Sequence, residues 1–314
     1  MAESWYTVVD DELDSIRKVM DTEVTSAYPE LNDMCEAALS SRYSKTRTAL
    51  SILAYYANGG SNAQDAVYTA SCFEAVYNGL HLHDQVDEQG NVKVVKKKLF
   101  SKEPSTTKII VAGDFMFIVG FRIAYVRLPD IVPYLMKVSS SISDAIFDIV
   151  NNSHNSDIAE AQTLDIIRRK SAIEYSVLFE CAAMKAGAGS DVVSKMAECG
   201  SYLGSAIQTM NDLDDILGSG KKPRMDTLLS GFPTLPLFYA MQDPKIGPRV
   251  KEAFADSKLT PKVAAAIIAL IRTTDVRNRC LEYVETNKEK AISILNDLPD
   301  SKYKTALIDF IREV

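Results

Sequence analysis

Glycine and proline are scarce in this chain, at 14 and 11 of 314 residues. So few chain breakers leave little room for the closely spaced turns of a strand-rich fold. Cysteine is scarce too: Cys35, Cys72, Cys181, Cys199 and Cys280 are odd in number, scattered and without CxxC spacing. That pattern supports neither a disulfide framework nor a zinc site. Apolar runs such as Ile109–Ala112 and Ala264–Ile271 fall short of the ~20 residues that span a bilayer. The N-terminal Met-Ala-Glu-Ser lacks the basic stretch of a secretory leader. We therefore expect no transmembrane segment and a cytoplasmic location. Excess positive charge is also missing, since 35 Lys and Arg stand against 42 Asp and Glu, a net −7. This balance argues against a nucleic-acid partner or an anionic membrane surface.

What is present is helical periodicity. Apolar residues recur at i, i+3, i+4 and i+7 rather than alternating, which predicts an all-α fold. Helices are expected over 8–24, 30–41, 45–58, 62–89, 105–126, 130–152, 157–187, 190–217, 233–242, 246–257, 260–273, 276–296 and 301–313. Ser61 with Gln64 has the spacing of a capping box, Pro29 suits a first turn, and Gly187 and Gly189 suit a helix end. No linker or repeat divides the chain, so a single helical domain over 1–314 is expected.

Two irregular stretches carry lysines directly after acidic clusters. Gln89–Thr107 holds Lys93, Lys96, Lys97, Lys98 and Lys102, and Gly218–Pro233 holds Lys221, Lys222 and Arg224. In the first cluster Asp84, Asp87 and Glu88 stand at i, i+3 and i+4, one face of a helix, where like charges repel unless a cation sits among them. In the second, Asp212 and Asp215 share a face within the mainly apolar run Tyr202–Leu217. An acidic helix end is often plain solvated surface. Twice repeated, opposed to the helix dipole and followed by lysines, it points to Mg²⁺ and a diphosphate.

These residues resemble a family, the trans-polyprenyl diphosphate synthases, over roughly Ser40 to Ala240. His83-Asp84-Gln85-Val86-Asp87-Glu88 is similar to the first aspartate-rich motif, with Gln85 in place of its middle carboxylate. Ala112-Gly113-Asp114-Phe115 is similar to the Ala-Gly-Asp element that follows, and Arg169-Lys170-Ser171-Ala172 to a Lys-Thr-Ala segment. Gln208-Thr209-Met210-Asn211-Asp212-Leu213-Asp214-Asp215 resembles the second aspartate-rich motif, with Asn211 replacing its first carboxylate. Gly220-Lys221-Lys222-Pro223-Arg224-Met225-Asp226-Thr227-Leu228, then Gly231-Phe232-Pro233-Thr234-Leu235-Pro236-Leu237, tracks the family's Gly-Lys-Pro to Thr-Leu-Pro-Leu stretch.

The resemblance implies an isoprenoid-synthase-type helical bundle around a central cavity, with the acidic clusters across its mouth and up to three Mg²⁺ ions. The implied metal carboxylates are Asp84, Asp87, Glu88, Asp212 and Asp215. Asp84 and Asp212, with Lys170 and Lys221, are the implied catalytic residues. Ser171, Gln208 and Asp226 would bind the allylic diphosphate, and Arg47, Lys45, Lys96, Lys97 and Lys98 isopentenyl diphosphate. The implied reaction is condensation of the two prenyl diphosphates to a longer trans-prenyl diphosphate, by a homodimer.

The isopentenyl element departs most, reading Arg42-Tyr43-Ser44-Lys45-Thr46-Arg47-Thr48, with Tyr77 in place of a family histidine. Two alternatives therefore stay open: a terpene synthase-like enzyme that ionises a prenyl diphosphate alone, and a non-catalytic regulatory subunit. Gly79 occupies a place where a bulky residue limits chain length in the family, and its smallness implies a long product. His81 and His83 point apart on a helix, so a zinc pair is not expected; His83 is expected to hydrogen-bond its neighbouring carboxylate. Tyr55, Tyr56, Phe73, Phe115 and Phe117 suit either a prenyl tunnel or ordinary core.

Overall fold

The computed structural model describes residues 5–40, 42–86, 90, 92, 105–218 and 224–314. Among them every regular element is a helix, as the periodicity predicts, apart from an isolated antiparallel bridge between Val86 and Val92. The helices are α1 (Asp10–Glu23), α2 (Pro29–Leu39), α3 (Arg42–Ala57), α4 (Ala63–His83), α5 (Thr106–Arg127), α6 (Val132–Asn151), α7 (Glu160–Ile167) and α8 (Ile173–Lys185). They continue with α9 (Ser190–Ile216), α10 (Asp226–Leu229), α11 (Leu235–Met241), α12 (Gly247–Ala255), α13 (Pro261–Ile271), α14 (Val276–Asn296) and α15 (Lys302–Glu313).

Contacts divide the chain into two compact units. The first holds Met1–Lys137, Leu178–Ser194 and Leu298–Asp309, and the second Val138–Val177, Lys195–Asp297 and Phe310–Val314. Within the first unit α4 is buried almost all round, which is why its sequence shows no clean apolar stripe. It lies tightly against α5 because glycines remove side chains from the contact. A Cβ on Gly120 would stand 2.7 Å from the Cys72 carbonyl oxygen, and one on Gly79 would stand 2.7 Å from Phe117 and 2.8 Å from the Gly113 carbonyl oxygen. Tyr56 on α3 donates to Glu12 on α1 at 2.6 Å and stacks on Tyr303 of α15 at 4.7 Å. The core of the second unit gathers Ile166, Leu213, Ile216, Leu235, Phe254 and Ile268, among others. All five cysteines are free and buried, and burial pushes the Cys35 and Cys72 thiols up to about 12, so they stay protonated.

Several expected boundaries move. The helix expected over 62–89 ends at His83, with Asp84 closing it through N–H donation to the Leu80 carbonyl at 3.0 Å. The next residues tighten: Gln85 N bonds Leu82 O and Val86 N bonds His83 O, each at 3.0 Å. The Val86–Val92 bridge, with Gly90 at φ +78°, then turns the chain back. Asp84 therefore closes α4, while Asp87 and Glu88, with which it is expected to share a face, lie outside the described residues. Asn62, not Ser61, caps α4, its side chain accepting from Gln64 N at 3.1 Å. The helix expected over 157–187 is interrupted by a π-helical turn at Arg168–Ala172. Pro29 does open α2, and Gly187, at φ +82°, does follow α8.

By length and composition alone, α5 is apolar enough to cross a membrane. Lys108, Asp114 and Arg122 interrupt it, so it contains no uninterrupted apolar run of that length.

Candidate functional site

In the first unit, Asp84 stands exposed at the end of α4. Its neighbour His83 does not turn to it. His83 Nε2 lies 3.2 Å from Asp114 Oδ1 and 3.2 Å from the Ile110 carbonyl oxygen, both on α5. The imidazole also stacks on Phe117, with ring centroids 5.9 Å apart and planes 13° apart. The expected support of Asp84 is thus given to Asp114, since α4 places the imidazole over α5.

Deeper along α4, buried Glu74 accepts from Arg47 Nη2 at 3.3 Å and from the Asn78 side-chain amide. The Arg47 guanidinium also lies over the Tyr77 ring, 5.4 Å from its centre. Arg47 is therefore held in place from two sides. Lys45 is exposed, its ammonium 4.0 Å from the centre of the Tyr6 ring. A cavity of about 770 Å³ opens beside it, floored by Leu13, Ile16 and Met20. Among the described residues, Asp10, Asp14, Asp21, Glu36 and Glu74 line it together with Arg17 and Lys45.

The second unit brings several expected residues together. Ser171 Oγ donates to Gln208 Oε1 at 2.8 Å, and Gln208 Nε2 donates to Asp212 Oδ1 at 2.7 Å. Ser171 reaches Gln208 from the π-helical turn, which inserts an extra residue into the helix and re-aims its side chains. Arg169 anchors that turn on Asp165 at 2.6 Å and on Asp148, while Ser141 donates to its carbonyl at 3.0 Å. Its two carboxylates raise the Arg169 pKa further, so it is structural and permanently charged. Close approach to α9 depends on glycine: a Cβ on Gly204 would stand 2.7 Å from Ala172 Cα, and one on Gly200 would overlap the Tyr175 carbonyl.

Asp212 is 5% exposed. Burial is the largest influence on it and pushes its carboxyl up to about 7, helped by Asp215 and opposed by Gln208, Lys170 and Arg224. A buried carboxylate held so close to neutrality is a place where a cation would be favourable. Asp215 has another task. Its Oδ2 accepts from Thr227 N at 3.0 Å and Thr227 Oγ1 at 2.6 Å, while Oδ1 accepts from Asp226 N at 3.3 Å and lies 3.4 Å from Arg224 Nε. It holds the first turn of α10, which Met225 enters at φ +68°. The side chain of Asp226 is exposed, and its backbone rather than its carboxylate meets Asp215.

Lys96, Lys97, Lys98, Lys221, Asp87 and Glu88 lie outside the described residues. Among the described residues no cluster of three or more His, Cys, Asp or Glu could by itself hold a metal. Sequence reasoning missed Thr227 and the His83–Asp114 couple, whose partners are 12 and 31 residues apart in the chain. Gly79 meets Phe117 and Gly113. Its lack of a side chain lets α4 approach α5 at that point.

The profile of a family described as Polyprenyl synthetase matches residues 28–271. Heptaprenyl diphosphate synthase component 2 of Geobacillus stearothermophilus is 25% identical over 310 residues, 97% of this chain and 95% of that protein. Octaprenyl diphosphate synthase of Escherichia coli K12 is 26% identical over 274 residues, 84% and 83% of the two chains. Among solved structures, a polyprenyl synthase from Caulobacter crescentus CB15, complexed with calcium and isoprenyl diphosphate, superposes with a TM-score of 0.85. It is 20% identical, and the match covers 98% of this chain and 95% of the other.

Proposed function

Because this chain belongs to the polyprenyl synthetase family, we propose that it is a prenyltransferase that joins an allylic prenyl diphosphate to isopentenyl diphosphate. The observation that carries this reading is the Ser171–Gln208–Asp212 hydrogen-bond chain, which ends on a buried carboxylate that favours a cation. Asp84 and Asp212, with Asp87 and Glu88 of the first motif, would hold Mg²⁺, up to three ions. When bound, Mg²⁺ supplies positive charge to the diphosphate and so eases its departure.

Lys170, on the π-helical turn, offers the diphosphate an ammonium whose charge also acts on Asp212. The turn orients Ser171 and Gln208, so that the hydroxyl and amide present fixed dipoles. Asp215 holds the start of α10 and with it Arg224, two residues after Lys222. In the reaction the allylic C–O bond breaks and its electrons leave with the diphosphate. The isopentenyl double bond then attacks the allylic cation, and the released diphosphate takes the proton lost from the adduct. Arg47, steadied by Glu74 and Tyr77, is our candidate for the isopentenyl diphosphate, with Lys45 and the lysines at 96, 97 and 98.

Incubation with Mg²⁺, labelled isopentenyl diphosphate and an allylic starter tests the proposal: a longer prenyl diphosphate is expected. A hydrocarbon or alcohol from the allylic substrate alone would instead indicate a terpene synthase-like enzyme. No turnover would indicate a regulatory subunit.

We read the chain as one domain, since the family match runs through residues of both units. We also propose a soluble, cytoplasmic homodimer. Ile118, Tyr125 and Val126 on α5 are 61–75% exposed, an apolar strip that a second copy would cover. Light scattering should then give twice the mass of one chain, and a stable monomer would leave room for a separate partner subunit.

A further inference from the structure

Helix ends fray, and a carboxylate on a frayed end holds a cation poorly because its backbone must first be ordered. Asp84 is in that position: it is exposed, and α4 stops one residue before it. Three observations show that this particular end is pinned. His83, the last helical residue, has Nε2 at 3.2 Å from both Asp114 Oδ1 and the Ile110 carbonyl oxygen. Its ring runs parallel to that of Phe117, with centroids 5.9 Å apart, and Phe117 in turn runs parallel to Phe121 at 6.5 Å. Beneath the ring is Gly113, where any Cβ would overlap His83 Nε2 and Cδ2.

Since both oxygens accept, Nε2 carries the hydrogen and donates to α5 whatever the state of Nδ1. The couple therefore holds in either charge state of the imidazole. The surroundings are also suited to the task. The Asp114 carboxylate is 62% exposed and the His83 side chain 35%, so the pair lies at the surface of the first unit, level with the end of α4.

We propose that His83 and Asp114 form a positioning couple, seated by Gly113, that fixes the backbone of Asp84 for metal binding. This rests on the metal role proposed above for Asp84. His83 acts through Asp84 and touches neither metal nor substrate. Outer-shell partners of metal ligands commonly alter affinity about 10–100-fold, and a partner one residue removed should fall at or below the lower end, about 3–10-fold.

The test measures Mn²⁺ binding to the full chain by electron paramagnetic resonance in the presence of inorganic pyrophosphate, with circular dichroism as the check on folding. Asp84→Asn should weaken binding strongly. His83→Ala should weaken it about 3–10-fold, and His83→Gln, whose amide can reach the place of Nε2, should restore most of the loss. Asp114→Ala, at an exposed site where misfolding is not expected, should weaken it in the same direction. If Asp84→Asn weakens binding while His83→Ala and Asp114→Ala bind as the unaltered chain does, the couple is only packing and the positioning role is overturned. If Asp84→Asn itself binds normally, the metal reading of Asp84 fails and the proposal falls with it. A loss in His83→Gln as large as in His83→Ala would also overturn it, because the donor would then not be what matters.

Discussion

Thr227 donates both its hydroxyl, at 2.6 Å, and its backbone N–H, at 3.0 Å, to the same oxygen of Asp215. The carboxylate that resemblance assigns to a metal is thus the anchor of α10. Thr227→Val keeps the shape and the N–H but deletes the hydroxyl, leaving a buried charged oxygen short of one donor. We expect a loss of about 1.5–3 kcal/mol, seen as a lowered Tm. We also expect a several-fold higher KM for the allylic diphosphate, because Arg224 depends on the same carboxylate. An unchanged KM with a lowered Tm would confine Asp215 to stability.

Asp212 makes stability depend on pH in an unusual direction. Its carboxyl is raised to about 7 in the folded chain from an ordinary 3.8, so the folded state holds a proton that the unfolded state has released. Its contribution is fully present below about pH 4 and is lost as pH rises towards 7. About three units at 1.36 kcal/mol each set an upper bound of ~4 kcal/mol. Chemical denaturation of metal-free protein from pH 4 to 8 should show this decline. Asp212→Asn should remove it.

Gly79→Phe should unfold or strongly destabilise the chain rather than shorten its product. Even Gly79→Ala places a Cβ 2.8 Å from the Gly113 carbonyl oxygen, and α4 and α5 would have to separate. Overpacking of this kind costs about 1–3 kcal/mol. Thermal melting checks the stability, and product analysis of the Ala variant checks the chain length, which should not change.

Gly200→Ala should disconnect Ser171 from Gln208. A Cβ there overlaps the Tyr175 carbonyl, so α8 and the turn before it must move off α9. Activity should fall about ten-fold or more, as misplacing a binding group by ~1 Å can cost 10²-fold. Steady-state kinetics at saturating Mg²⁺ would show it, and full activity would mean that the close approach is dispensable.

The helices were legible because core-facing residues repeat with the helical period, and Ser171, Gln208 and Asp212 because their motifs are local and ordered. Gln208 and Asp212, four residues apart, had to meet on α9. What was not legible depended on contacts between elements. Helical spacing extends α4 through Glu88, whereas the helix ends at His83 and Val86 pairs with Val92. No local signal ties His83 to Asp114, or Asp215 to Thr227. Gly79, Gly200 and Gly204 read as small residues, but only the neighbouring helix shows what their smallness admits.

The wide turn at Arg168–Ala172 sets regularity against chemistry. Each residue advances an α-helix by about 100°, so removing one residue here would restore an ideal spiral and swing Ser171 away from Gln208 by nearly a third of a revolution. A deletion that tidies the backbone should therefore yield a sturdier and silent protein. Natural variation at this spot should conserve the number of residues more strictly than their identity.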